Sequence, residues 1–215
     1  MCDSVFMSAQ SVEAFAESSD MDAAPLPDWV IPPPDGFTAD DFLSMRGLPR
    51  HTELIDGSLV FVSPQRKWHV RVIDLLKYEL NRQAPGHLCA DREMSVKLAV
   101  SQVPEPDVLI VTADAYERDE PSTYYFPEDV VLAVEAVSPD SRIRDRDIKP
   151  RRYAAAGIQH FWRVEEDEGR TVVYIYELDP ATGVYVPTGI HHDRLKLTVP
   201  YDIDIDLGDL GRRRR

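Results

Sequence analysis

The chain has 215 residues, 43% of them hydrophobic and 9% aromatic, enough to bury one substantial core, and domains of roughly 100–200 residues make one domain with appendages the expectation. No stretch approaches the ~18 consecutive apolar residues of a membrane span, and residues 1–15 carry neither Lys nor Arg nor a continuous apolar block; neither a membrane helix nor a leader is read, and a cytoplasmic protein is expected. The net charge of −14 opposes broad phosphate binding, yet residues 1–41 hold nine acids and no Lys or Arg, leaving −5 for residues 42–215.

Residues 1–36 read as a disordered, acidic arm, polar at first and then broken by Pro25, Pro27, Pro32, Pro33 and Pro34. Thr38, followed by Asp40 and Asp41, has the chemistry of a helix start, and a short helix is expected over 38–46. Two β-prone runs around Asp56-Gly57 predict a hairpin that puts Glu53 on a strand. Over 67–83, Val70, Ile73, Leu76 and Leu80 recur at helical spacing until Pro85-Gly86 ends the pattern. Strands are then expected at 94–100, 107–111 and 130–137, a helix at 144–156 stopped by Gly157, and further strands at 161–164, 171–177, 184–188 and 195–199. The domain is placed at 37–210, with 211–215 as a basic tail. Cys2 and Cys89 lie in such different contexts that a disulfide is not expected, and no zinc-type cluster exists.

Glu135 is the informative anomaly, because a carboxylate within the apolar run 130–137 is costly unless a cation compensates it. A buried arginine is one such cation; a metal ion is another. Asp107 opens a second strand directly after Pro106, so two carboxylates on neighbouring strands make a hard-oxygen site of the kind magnesium or manganese accepts. Lys149, on the following helix, is placed to orient a water or neutralise a phosphate. His69 is a second-rank candidate, better read as a helix-surface or packing residue, and His191-His192 as loop. Asp202, Asp204 and Asp206 read as a solvated strand edge. Residues 140–153 carry a net charge of +3, which intrahelical ion pairs or a phosphate backbone explain equally well.

Pro106-Asp107, then Val134-Glu135-Ala136-Val137-Ser138-Pro139-Asp140-Ser141, then Lys149-Pro150-Arg151-Arg152-Tyr153, together resemble the Uma family of bacterial "putative restriction endonucleases". Glu53-Leu54-Ile55-Asp56-Gly57 and the helix bearing His69 extend the similarity over about residues 37–210. The resemblance implies an α/β fold of α+β type with a PD-(D/E)xK core: a restriction-endonuclease-like mixed sheet flanked by helices, with an added antiparallel hairpin. It implies Mg2+ or Mn2+ at Asp107 and Glu135, with the Ala136 carbonyl as a third ligand, Lys149 and Glu53 as catalytic partners, and DNA as substrate. A homodimer is suggested by related nucleases that cut both strands. Val137 stands where the superfamily carries a strand lysine, and Lys149 is the natural substitute. That departure keeps open a catalytically weak or inactive module binding nucleic acid or protein; a hydrolase of small phosphodiesters is a third reading.

Overall fold

In the computed structural model, residues 31–62 and 65–208 are described. Residues 1–30 of the expected arm, with Cys2, lie outside the described residues, as does the expected tail 211–215. The fold lies within the compact unit Pro32–Arg215.

Helix α1 (Ala39–Ser44) starts where Thr38 and Asp41 form a capping box, the Thr38 hydroxyl accepting from Asp41 N–H and the Asp41 carboxylate from Thr38 N–H. The hairpin of β1 (Glu53–Ile55) and β2 (Ser58–Val60) turns at Asp56 and Gly57, with φ of 49° and 75°. Two successive positive φ angles are what a two-residue turn matching strand twist requires. Helix α2 (Lys67–Gln83) follows and buries Val72, Ile73, Leu76 and Leu80. Val70, expected on this stripe, is instead exposed, and Val72 takes its place.

Strands β3 (Leu88–Arg92), β4 (Ser95–Val96), β5 (Val108–Thr112), β6 (Tyr124–Tyr125) and β7 (Val130–Ala136) come next, with α3 (Ala113–Glu117) between β5 and β6. A π-helical turn over Arg144–Ile148 leads into α4 (Lys149–Ala155), and Gly157, at φ 83°, ends it. Then follow β8 (His160–Asp167), β9 (Arg170–Asp179), β10 (Val184–His191), β11 (Arg194–Leu197) and β12 (Ile203–Asp206). The main sheet has the order β10-β9-β8-β7-β5-β3; β7 and β8 are parallel and the other neighbours antiparallel.

One sheet face packs Val108, Ile110, Leu132 and Val134 against α2, and the other packs Leu109, Val111 and Ala133 with Tyr153 of α4. The six-stranded mixed sheet covered by helices, with a separate hairpin, matches the expected architecture. Covered on both faces, β7 can be apolar along its whole length save one position.

Three further expectations change. The strand expected at 94–100 is reduced to Ser95–Val96, because Leu98 and Ala99 bond back to Gln102 and turn the chain, while Val100 is 74% exposed. The strand that borders β5 is Leu88–Arg92. His191 ends β10 rather than lying in a loop.

Candidate active site

The ladder between β5 and β7 pairs Val108 with Val134. One step further, Asp107 comes opposite Glu135, and opposed residues of an antiparallel pair project from the same face. Asp107 is anchored: Oδ2 accepts from Ala136 N–H at 2.6 Å, and Oδ1 lies 3.1 Å from His69 Nε2. The backbone of the Glu135 strand therefore fixes the carboxylate of its neighbour.

Glu135 is 1% exposed and points toward α4. Asp145, Lys149 and Tyr153 lie four residues apart, which puts them in a row along one side of the helical segment. Lys149 Nζ is 2.7 Å from Glu53 Oε1, 3.0 Å from Glu135 Oε2 and 3.5 Å from Asp145 Oδ1, and Tyr153 Oη donates to Glu135 Oε1 at 2.5 Å. The cation compensating Glu135 inside the protein is thus a lysine, not an arginine. Glu53 reaches Lys149 because β1 is held by paired backbone bonds between Leu54 and Val103, and because Glu53 Oε1 also accepts from Glu105 N–H at 2.8 Å.

Burial raises the affinity of Glu135 for a proton, with Lys149 opposing and Asp145, Asp107 and Glu53 reinforcing the rise. Burial of Lys149 disfavours its charge, yet the surrounding carboxylates outweigh this and hold it protonated. A charged Lys149 cannot be the general base; it can orient and neutralise. Burial likewise opposes protonation of His69, but the hydrogen bond and charge of Asp107 prevail and raise its pKa. His69, read from sequence as a surface or packing residue, belongs to the site.

Glu53, His69, Asp107, Glu135, Asp145 and Lys149 line one cleft of about 80 Å³, together with His51, Glu93 and Glu105. His51 Nδ1 lies 2.6 Å from Glu105 Oε1, and Gln65 donates to Glu93 at 3.1 Å. The cleft walls hold seven carboxylates against Arg66, Arg144 and Lys149, an imbalance that favours uptake of a cation or a proton.

Among the described residues no group of three or more His, Cys, Asp or Glu side chains has metal-binding geometry. The hard-oxygen pair Asp107 and Glu135, with Ala136 also in the cleft wall, fits an ion that keeps several waters and takes one or two carboxylates. Each carboxylate oxygen has a second lone pair, so the Lys149 and Tyr153 bonds do not exhaust Glu135 as a ligand.

Asp107, Glu135, Lys149 and Glu53, proposed from separate segments, are brought together. Asp145 and Tyr153 were not singled out as site residues; their signal was the four-residue spacing on either side of Lys149. Asp202, Asp204 and Asp206 stay outside the cleft lining, and Arg194 binds Asp204 at 2.6 Å in an exposed pair.

Residues 39–208 match the model of the Uma2 family, described as "Putative restriction endonuclease". Among solved structures, a "putative nuclease belonging to DUF820" from Anabaena variabilis is similar at a TM-score of 0.60 and 17% identity, covering 81% of this chain and 97% of its own. That likeness shows the fold. No curated protein matches the chain.

Proposed function

We propose, from the premise that the chain belongs to the Uma2 family of putative restriction endonucleases, that it is a divalent-metal-dependent endonuclease hydrolysing DNA phosphodiester bonds. The observation that carries this reading is the convergence of Asp107 and Glu135 in a cleft whose one buried lysine is shared by three carboxylates. Asp107, Glu135 and the Ala136 carbonyl would hold the ion, which when bound would polarise a phosphoryl oxygen and make a bound water more acidic.

Asp107 is kept in place by Ala136 N–H and His69, so it need not reorganise on binding. Lys149 positions Glu135 and sets positive charge beside the reacting phosphate. Its contact to Asp145 is the longest of the three, so that donor is the one a phosphate oxygen or the attacking water would take over. Glu53 acts through Lys149 as a positioning residue.

Purified protein with plasmid and magnesium is expected to nick the DNA, and Asp107→Ala to abolish nicking; equal activity in the variant removes this mechanism. A second reading, a non-catalytic nucleic-acid or protein-binding module, is favoured by one observation: all three N–H donors of Lys149 face carboxylates. DNA binding without metal uptake and without product, in magnesium or manganese, would establish it.

A further inference from the structure

A second groove, of about 440 Å³, shares Arg66, His69, Ser138 and Pro139 with the candidate active site. The two are continuous through the start of α2. We propose that this groove binds the phosphate next to the scissile one, through Arg66, Arg142 and the first turn of α2. The proposal rests on the nuclease reading and adds to it the path of the nucleic-acid strand.

Helix α2 has 17 residues, no capping side-chain bond from Arg66 at its N-cap, and no acid in its first turn. Its first amide groups are therefore a positive end without an attached carboxylate. Arg66, Trp68 and His69, from that turn, line the groove. His69 is 7% exposed and its buried Nδ1 has no hydrogen-bond partner among the described residues, so the turn carries a polar group whose bonding those residues leave incomplete.

The arginines divide into two sets. Arg146 and Arg163 are engaged by Glu165, and Arg163 also stacks over Tyr174 at 4.4 Å. Among the described residues, Arg66 and Arg142 line the groove with no ion pair, and both are exposed. Arg144, in the wall of the active-site cleft, is also without an ion pair among the described residues, and its buried Nε has no hydrogen-bond partner among them. Guanidinium groups left free beside a cleft rich in carboxylates suit a polyanion that must be drawn past like charge. Glu166 and Asp167, on the hairpin end of β8, also line the groove.

The test is the salt dependence of binding of a DNA duplex to the full chain in EDTA, for wild type, Arg66→Gln, Arg142→Gln and the charge control Lys196→Gln. Lys196 lies on β11, which pairs with β12, and β12 meets the C-terminal end of α2 through Gln83 and Asp204. Arg66 and Arg142 are exposed, so their loss leaves the core intact. Each of the two groove variants is expected to reduce the slope of log affinity against log salt by roughly one, and to bind roughly tenfold more weakly at about 0.1 M salt. Lys196→Gln keeps the wild-type slope. Wild-type binding with unchanged slopes in both groove variants overturns the subsite alone, as does no binding by the wild type in EDTA; loss of nicking by the wild type in magnesium overturns the nuclease reading.

Discussion

Lys149 Nζ lies 3.0 Å from Glu135 Oε2, with the two residues 4% and 1% exposed. Neither charge has water to fall back on, so Glu135 depends on Lys149, and Lys149 on Glu135 together with Glu53 and Asp145. Lys149→Met is expected to destabilise the fold by roughly 3–5 kcal/mol, because Glu135 and Glu53 lose their cation. Lys149→Met with Glu135→Gln should lose less than the two single losses summed. Urea unfolding of the four proteins checks this, and strict additivity would contradict the coupling.

Tyr153 is completely buried and its hydroxyl donates to Glu135. Tyr153→Phe keeps the ring against Phe161, 6.0 Å away between centroids, and removes only that donor. A hydrogen bond to a charged group contributes about 1.5–3 kcal/mol, and a loss of that size is expected in chemical denaturation. An unchanged midpoint would show that the bond contributes nothing.

Glu53 touches Lys149 and the Glu105 backbone. Glu53→Gln weakens its hold on the ammonium while keeping its shape. Outer residues that orient ligands typically alter metal affinity or activity about 10–100-fold, and a decrease of that order is expected in single-turnover cleavage. Wild-type rates would remove Glu53 from the machinery.

His160 sits on β8 away from the cleft. Burial lowers its pKa below the usual histidine value, and Glu177 only partly opposes the shift. The unfolded chain then binds the proton more readily than the folded one, so this contribution to stability is fully present above the unfolded pKa of about 6.5 and is lost as pH falls toward the folded value. NMR titration of the imidazole should give a midpoint below the usual value, and His160→Gln should flatten the acid limb of the stability profile. A midpoint at or above the usual value contradicts the assignment.

Periodicity made α2 and the central strand legible, and the single carboxylate in that strand marked the site. The Asp56-Gly57 turn located Glu53 as a strand residue. What the sequence concealed depended on tertiary direction. Leu88–Arg92 lacks the β-branched and aromatic residues that mark strands, and only pairing with β5 makes it one. Residues 94–100 have the composition, but only Ser95–Val96 finds a strand partner, in β6. Asp145 looked like any acid in a run of alternating charge, but it is 2% exposed whereas Asp147 pairs with Arg151 on the surface. His69 reads as a surface or packing residue because helical spacing gives the face of a residue but not the strand end it meets.

In the proposed mechanism Asp107 and Glu135 share one divalent ion. Calorimetric titration of manganese into the wild type, Asp107→Asn and Glu135→Gln, each with and without DNA, tests it most directly. One ion per wild-type chain, with binding weakened in both variants, is the expected result. No uptake by the wild type under either condition, or undiminished uptake by both variants, would contradict it.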